Sequence, residues 1–156
     1  MNANVTWMSF PSAVGTLTAF AVNNHLAAVE WGRAPTPERT ALPLLEEVRR
    51  QLDQYFDAKR ETFDLPLAPA GGEFQLAVWR AMCEIPYGAT QTYGDLADAL
   101  KSSARAVGTA CGKNPIPIII PCHRVVGAKG RLTGYSGGAG VETKAFLLRL
   151  EGNSLV

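Results

Sequence analysis

Acidic residues are missing from a long central stretch: none stands between Asp98 and Glu142. Cysteine is scarce as well. Cys83, Cys111 and Cys122 are an odd number without CxxC spacing, which excludes a disulfide framework and points to a reducing, intracellular setting. No apolar run nears the ~20 residues of a membrane helix, so no membrane partner is expected. The first ten residues lack a basic region followed by an apolar core, so no signal peptide is expected and the location is read as cytoplasmic. Internal repeats and low-complexity tracts are absent too.

What is present is enough hydrophobic material, 47% of 156 residues, for one domain or two small ones. The near-neutral net charge of +1 hides an asymmetry. Residues 1–72 carry six Lys/Arg against eight Asp/Glu, and residues 73–156 carry nine against six. The acid-free stretch holds Lys101, Arg105, Lys113, Arg124, Lys129 and Arg131. A field of one sign over such a length favours a polyanionic partner.

The first thirty residues predict antiparallel β structure, with strands at Thr6–Phe10, Thr16–Val22 and Leu26–Trp31 and turns at Pro11–Gly15 and Asn23–His25. Leu45, Val48, Leu52 and Tyr55/Phe56 recur at helical spacing and predict a helix from about Leu42 to Lys59. Residues 61–72 contain two prolines and two glycines and are expected to link an N-terminal lobe, 1–72, to a second domain, 73–156. That domain is predicted to open with a helix over Glu73–Glu84, with Phe74, Val78 and Met82 inward. Thr92 caps a short helix through Leu100, and Ser102 or Ser103 caps another over Ala104–Gly112. The pair reads as a helix-turn-helix, and with the acid-free stretch it favours DNA as the partner. Residues 115–121 are expected to be a buried extended segment. Val125-Val126 and Leu132-Thr133 are expected to form a small hairpin or wing, and a last helix spans Val141–Leu150.

At the end of the apolar segment lies Pro121-Cys122-His123-Arg124-Val125-Val126-Gly127. A thiol is a strong nucleophile as its thiolate, and an adjacent imidazole or positive charge favours that form. His123 and Arg124 both adjoin Cys122 in sequence. Cys83 and Cys111 read as small core residues.

The chain resembles the O6-alkylguanine-DNA alkyltransferase family over nearly its whole length. The resemblance rests on Phe74-Gln75 through Trp79, Ile85-Pro86-Tyr87-Gly88, Thr92-Tyr93-Gly94-Asp95-Leu96-Ala97 and Ala104-Arg105-Ala106-Val107-Gly108. It continues through Asn114-Pro115, the PCHRVVG run, Gly134-Tyr135-Ser136-Gly137-Gly138 and Leu147 to Gly152. It implies an α+β fold: a ribonuclease H-like lobe with a small antiparallel sheet and helix, then a mostly helical, winged helix-turn-helix-like domain. It implies direct-reversal repair, in which an alkyl group moves irreversibly from O6-alkylguanine, or O4-alkylthymine, in double-stranded DNA to the protein's own cysteine.

By the same resemblance Cys122 is the acceptor, His123 ionises it through a water, Glu151 orients His123, and Asn114 ties the recognition helix to the active-site segment. Tyr93 helps rotate the nucleotide out of the stack and donates a proton to guanine N3. Arg105 fills the gap, and Val125, Tyr135 and Ser136 shape the base pocket. The recognition helix enters the minor groove, where its small residues Ala104, Ala106, Gly108 and Ala110 permit close approach. No cofactor is expected. Relatives that hold zinc do so through first-lobe cysteines, and none precedes Cys83 here, so no metal is expected; the protein is expected to be monomeric. The turn before Arg105 is shorter than in other members, and Ala139-Gly140 lengthens the segment before the last helix. Three other readings compete: a non-catalytic lesion sensor of the alkyltransferase-like type, a Cys-His hydrolase or acyltransferase, and a helix-turn-helix regulator with an incidental thiol.

Overall fold

A computed structural model describes residues 5–34, 42–135 and 137–153, and the chain divides into two units, Met1–Ala70 and Gly71–Val156. The first unit holds three strands, β1 (Val5–Phe10), β2 (Leu17–Val22) and β3 (His25–Trp31), in the antiparallel order β1-β2-β3. Asn23 and Asn24, with φ of 50° and 61°, form the tight turn between Val22 and His25. Asparagine tolerates that left-handed backbone better than most residues, and two such residues give the hairpin turn whose twist matches the strands. Helix α1 (Pro43–Phe56) opens with proline and packs on the sheet through Leu45, Val48, Leu52 and Tyr55, all fully buried. It stops at Phe56, short of Lys59, because Asp57 caps it and Ala58 turns left-handed at φ 59°.

The expected linker over 61–72 is largely pinned to this unit. Asp64 exchanges two hydrogen bonds with the buried side chain of Gln51, at 2.9 and 3.0 Å. Leu67 runs beside Leu26, whose N–H donates to Pro66 O at 2.8 Å and whose carbonyl accepts from Ala68 at 2.9 Å. Backbone groups that find partners at a sheet edge are not free to act as a tether.

The second unit is mainly helical. Helix α2 (Glu73–Cys83) buries Val78, Trp79 and Met82. Phe74, expected inward, is 38% exposed, and Cys83, expected in the core, is exposed. Both lie at the ends of α2, where the apolar stripe has passed the edge of the core. β4 (Gln91–Thr92) leads into α3 (Tyr93–Leu100). Thr92 Oγ1 accepts from Asp95 N at 2.9 Å and Asp95 Oδ2 accepts from Thr92 N at 3.0 Å, a reciprocal cap. Lys101 ends α3 in the left-handed region at φ 55°. Ser103 then caps α4 (Ala104–Gly112), accepting from Ala106 N at 3.1 Å. The Trp79 indole donates to Ala110 O at 2.9 Å and so fixes the end of α4 against α2.

Residues 115–121 are buried as expected but not extended. Ile120 N donates back to Ile116 O at 2.9 Å and Ile118 sits at φ 74°, so the segment is a turn. Three consecutive isoleucines find the core by folding onto it. The expected wing also differs. β5 (Val125–Val126) pairs in parallel with β4, Gln91 opposite Val125. Gly127 N donates to Arg131 O at 2.7 Å and closes a tight turn over 128–130. Val125 and Val126 are both buried, and their ladder partner is β4 rather than Leu132-Thr133. Helix α5 (Val141–Leu150) buries Thr143, Lys144, Leu147 and Leu148. Among the described residues no helix is long and apolar enough to cross a membrane.

Candidate active site

The turn 115–121 delivers Cys122 to a single turn of 3₁₀ helix, Cys122–Arg124, which aims three consecutive side chains in different directions. Cys122 is partly accessible. Burial pushes its thiol up, while the Asn114 side chain and the charge of Lys144 act in the opposite sense. The resting sulfur is therefore protonated, and its ionisation must be coupled to a base.

That base lies next in the chain. His123 is fully buried, and its Nε2 stands 2.7 Å from Glu151 Oε2. A ring nitrogen facing a carboxylate carries the proton, so Nδ1 keeps the lone pair. Nδ1 has no hydrogen-bond partner among the described residues. Burial lowers the His123 pKa, with Glu151 opposing, so the ring is neutral and able to accept a proton.

Arg124 does not flank the thiol as its sequence position implied. Its Nε lies 2.9 Å from Glu151 Oε1, its Nη2 3.0 Å from Oε2, and its Nη1 donates to Ile85 O at 2.7 Å. The guanidinium also stacks 5.8 Å from the centre of the Tyr87 ring. Consecutive residues on a 3₁₀ turn point about 120° apart, so Arg124 supports the carboxylate from the far side of the imidazole. Nothing in the order of residues pointed to this pair.

Asn114 spans the end of α4 and the active-site segment: Nδ2 donates to Ile120 O at 2.8 Å and Oδ1 accepts from Ile116 N at 3.0 Å. Lys113 caps the end of α4. Tyr93 begins α3, half-buried, with its hydroxyl donating to Thr133 O at 3.3 Å. Burial raises its pKa, which keeps the phenol protonated. Val125 is buried in β5 with its main chain in the ladder, and Tyr135 is buried with its phenol pushed strongly up. Ser136 lies outside the described residues.

Arg105 stands apart from this cluster, exposed in the first turn of α4 and without an ion pair among the described residues. It borders a groove of about 470 Å³ with Phe74, Gln75, Ala106 and Thr109. Among the small residues of α4, Ala110 is core and Gly108 lies under the Tyr93 ring, while Ala104 is exposed. Among the described residues no group of His, Cys, Asp and Glu could hold a metal ion.

One residue at the site escaped the sequence reading. Lys144 is fully buried, and its Nζ donates to Thr133 O at 2.7 Å and to the Tyr93 hydroxyl at 3.5 Å. Its signal was available: Lys144 occupies the apolar stripe of α5, three and four residues before Leu147 and Leu148.

Comparison with known proteins shows the family. Residues 73–153 match the family described as 6-O-methylguanine DNA methyltransferase, DNA binding domain, and residues 5–69 its ribonuclease-like domain. The chain belongs to the 6-O-methylguanine DNA methyltransferase family. A methylated-DNA–protein-cysteine methyltransferase of Haemophilus influenzae is 42% identical over 91% of this chain and 83% of its own length. One from Methanosarcina mazei is 55% identical over 70% of this chain and 69% of its own. The solved structure of Mycobacterium tuberculosis OGT in complex with DNA superposes with a TM-score of 0.82 at 40% identity, covering 93% of this chain and 91% of that one. The fold is that of this methyltransferase family, α+β with a small antiparallel sheet and a helical DNA-binding domain.

Proposed function

We propose that Cys122 is the residue that accepts the alkyl group when this methyltransferase repairs O6-alkylguanine in double-stranded DNA. The observation that carries the reading is the residue that follows Cys122: His123 is fixed at Nε2 by Glu151 Oε2 at 2.7 Å and keeps its buried Nδ1 without a partner among the described residues. A neutral imidazole takes the thiol proton, directly or through one water, and the carboxylate stabilises the imidazolium. The sulfur then attacks the alkyl carbon. The S–C bond forms as the C–O6 bond breaks, and the electron pair stays on the purine, which takes a proton at N3 from Tyr93. The product is a thioether with no group beside it able to cleave it, so each molecule acts once.

The target atom lies inside the duplex, so the nucleotide must leave the stack. Arg105, exposed at the start of α4, fills the vacancy, and Tyr93, at the start of α3, turns the backbone. Val125 and Tyr135 shape the pocket for the base. The lesion-sensor alternative lacks support, because the acceptor thiol is present. Chromosomal DNA as substrate and the reducing chemistry of a working thiolate favour the cytoplasm.

The test is to incubate the protein with an oligonucleotide carrying O6-methylguanine and record the intact mass. One methylene is gained, once, at Cys122, and Cys122→Ala binds the DNA without gaining mass. Repeated turnover, or a mass gain at another residue, overturns the assignment.

A further inference from the structure

Lys144 is a fully buried cation to which the reaction above gives no task. It sits at the end of the first turn of α5, where the helix dipole disfavours positive charge. Its ammonium donates to Thr133 O at 2.7 Å and the Tyr93 hydroxyl at 3.5 Å, and lies 5.6 Å from the Tyr93 ring centre. None of these is an anion, and no carboxylate pairs with it among the described residues. A buried charge without a counter-ion is costly, so a fold retains it where charge of the opposite sign will form.

The titratable groups facing it narrow the choice. Cys111, on α4, has its thiol pushed up to about 12 by burial and stays protonated. On the far side of His123, Glu151 is already held by Arg124. Tyr135 is held protonated and is raised further by Cys122. Cys122 and the Tyr93 phenol remain, and Lys144 acts on the thiol in the direction that favours ionisation.

We propose that Lys144 is the counter-ion of two anions that form in succession at this site, first the Cys122 thiolate and then the Tyr93 phenolate. The inference rests on the roles given above to Cys122 and Tyr93. The thiol proton passes to His123, leaving a negative sulfur near the ammonium. Formation of the S–C bond removes that charge from sulfur and delivers it to the purine, which takes the Tyr93 proton. The charge is then on the phenol oxygen, beside Nζ. The proton held by His123 neutralises the phenolate, so the net change is one proton moved from thiol to guanine. Lys144 gives up no proton and is a positioning residue for the nucleophile and the acid alike.

Lys144→Gln separates charge from anchoring, because an amide can keep the bond to Thr133 O while losing the cation. The apparent pKa of Cys122 is read from its rate of alkylation by iodoacetamide against pH, followed by peptide mass because Cys83 also reacts. In K144Q it rises by about 1–2 units, and K144R restores it. Single-turnover transfer from O6-methylguanine DNA falls ~10- to 100-fold in K144Q at neutral pH. The loss is smaller in a Tyr93→Phe background, where no phenolate forms. An unchanged pH profile in K144Q, or K144Q and K144R equally slow with the wild-type profile, overturns the proposal. If K144Q does not fold, ¹⁵N NMR of the wild-type Lys144 Nζ decides: its pKa drops once Cys122 is S-methylated, and an identical value overturns the proposal. Failure of wild-type Cys122 to gain an alkyl group from DNA sinks the parent reading instead, and leaves the iodoacetamide profile to judge Lys144.

Discussion

Arg124 and His123 share one carboxylate: Glu151 receives Arg124 Nε at 2.9 Å on Oε1 and His123 Nε2 at 2.7 Å on Oε2. Burial keeps the imidazole neutral and able to act as a base, and the guanidinium works in the same direction by offsetting part of the carboxylate charge. Arg124→Gln removes that offset and leaves a buried carboxylate facing the ring alone. His123 then becomes easier to protonate, and transfer slows at neutral pH. Breaking one partner of a buried pair costs about 3–5 kcal/mol. Urea denaturation of R124Q measures the stability loss, and single-turnover transfer at pH 7 and 8.5 measures the base. Recovery of rate at the higher pH is the expected signature.

Acidification destabilises the fold through His123. Its folded pKa lies below the ordinary histidine value because burial penalises the imidazolium. The unfolded chain therefore binds a proton near pH 6.5 that the folded chain does not yet bind. Stability is fully present above that pH and falls as pH drops toward the folded value, by up to about 1.4 kcal/mol per pH unit. The denaturation midpoint is expected to decrease between pH 7.5 and 5.5, and His123→Gln to flatten that decrease. Equal slopes in the two proteins contradict the assignment.

Features set by local chemistry were legible in the sequence. Thr92 and Ser103 cap their helices because a short oxygen side chain before an apolar-periodic run has few better uses, and Asn23-Asn24 turns because both residues tolerate positive φ. The adjacency of Cys122 and His123 needed no structure, and Glu151 and Asn114 were found by family resemblance. Features set by tertiary packing were hidden. The 3₁₀ turn sends Arg124 away from the thiol it adjoins in sequence. β5 pairs with β4, more than thirty residues earlier, instead of with its sequence neighbours. Lys144 drew no notice because sequence periodicity does not show that the stripe it shares with Leu147 and Leu148 faces the site.

Gly134 controls the position of the Tyr93 phenol. Its φ is 71°, and a Cβ there would stand 3.1 Å from the Tyr93 hydroxyl. Gly134→Ala forces a left-handed alanine, costing of order 1 kcal/mol, and crowds the phenol away from Thr133 O. Thermal melts are expected to show the modest loss. Transfer from DNA is expected to drop ~10-fold, the effect of misplacing one proton donor. Alkylation of Cys122 by iodoacetamide requires no proton donor and is expected to keep its wild-type rate. A parallel fall in both reactions identifies general loosening of the site instead.

Asn114 offers a test by charge at nearly constant shape. Its amide donates to Ile120 O at 2.8 Å and its carbonyl oxygen accepts from Ile116 N at 3.0 Å, and its presence favours the Cys122 thiolate. Asn114→Ala leaves both backbone groups without partners, costing about 1–3 kcal/mol for each that stays dry. Asn114→Asp keeps the acceptor for Ile116 N but sets a negative oxygen against Ile120 O and beside the sulfur. Like charge disfavours ionisation, so the aspartate raises the thiol pKa further than alanine does. Transfer at neutral pH is expected to be slower in N114D than in N114A even where N114D is the more stable protein. Measuring melting temperature and transfer rate on both variants decides it: rates that simply follow stability would assign Asn114 to the scaffold alone.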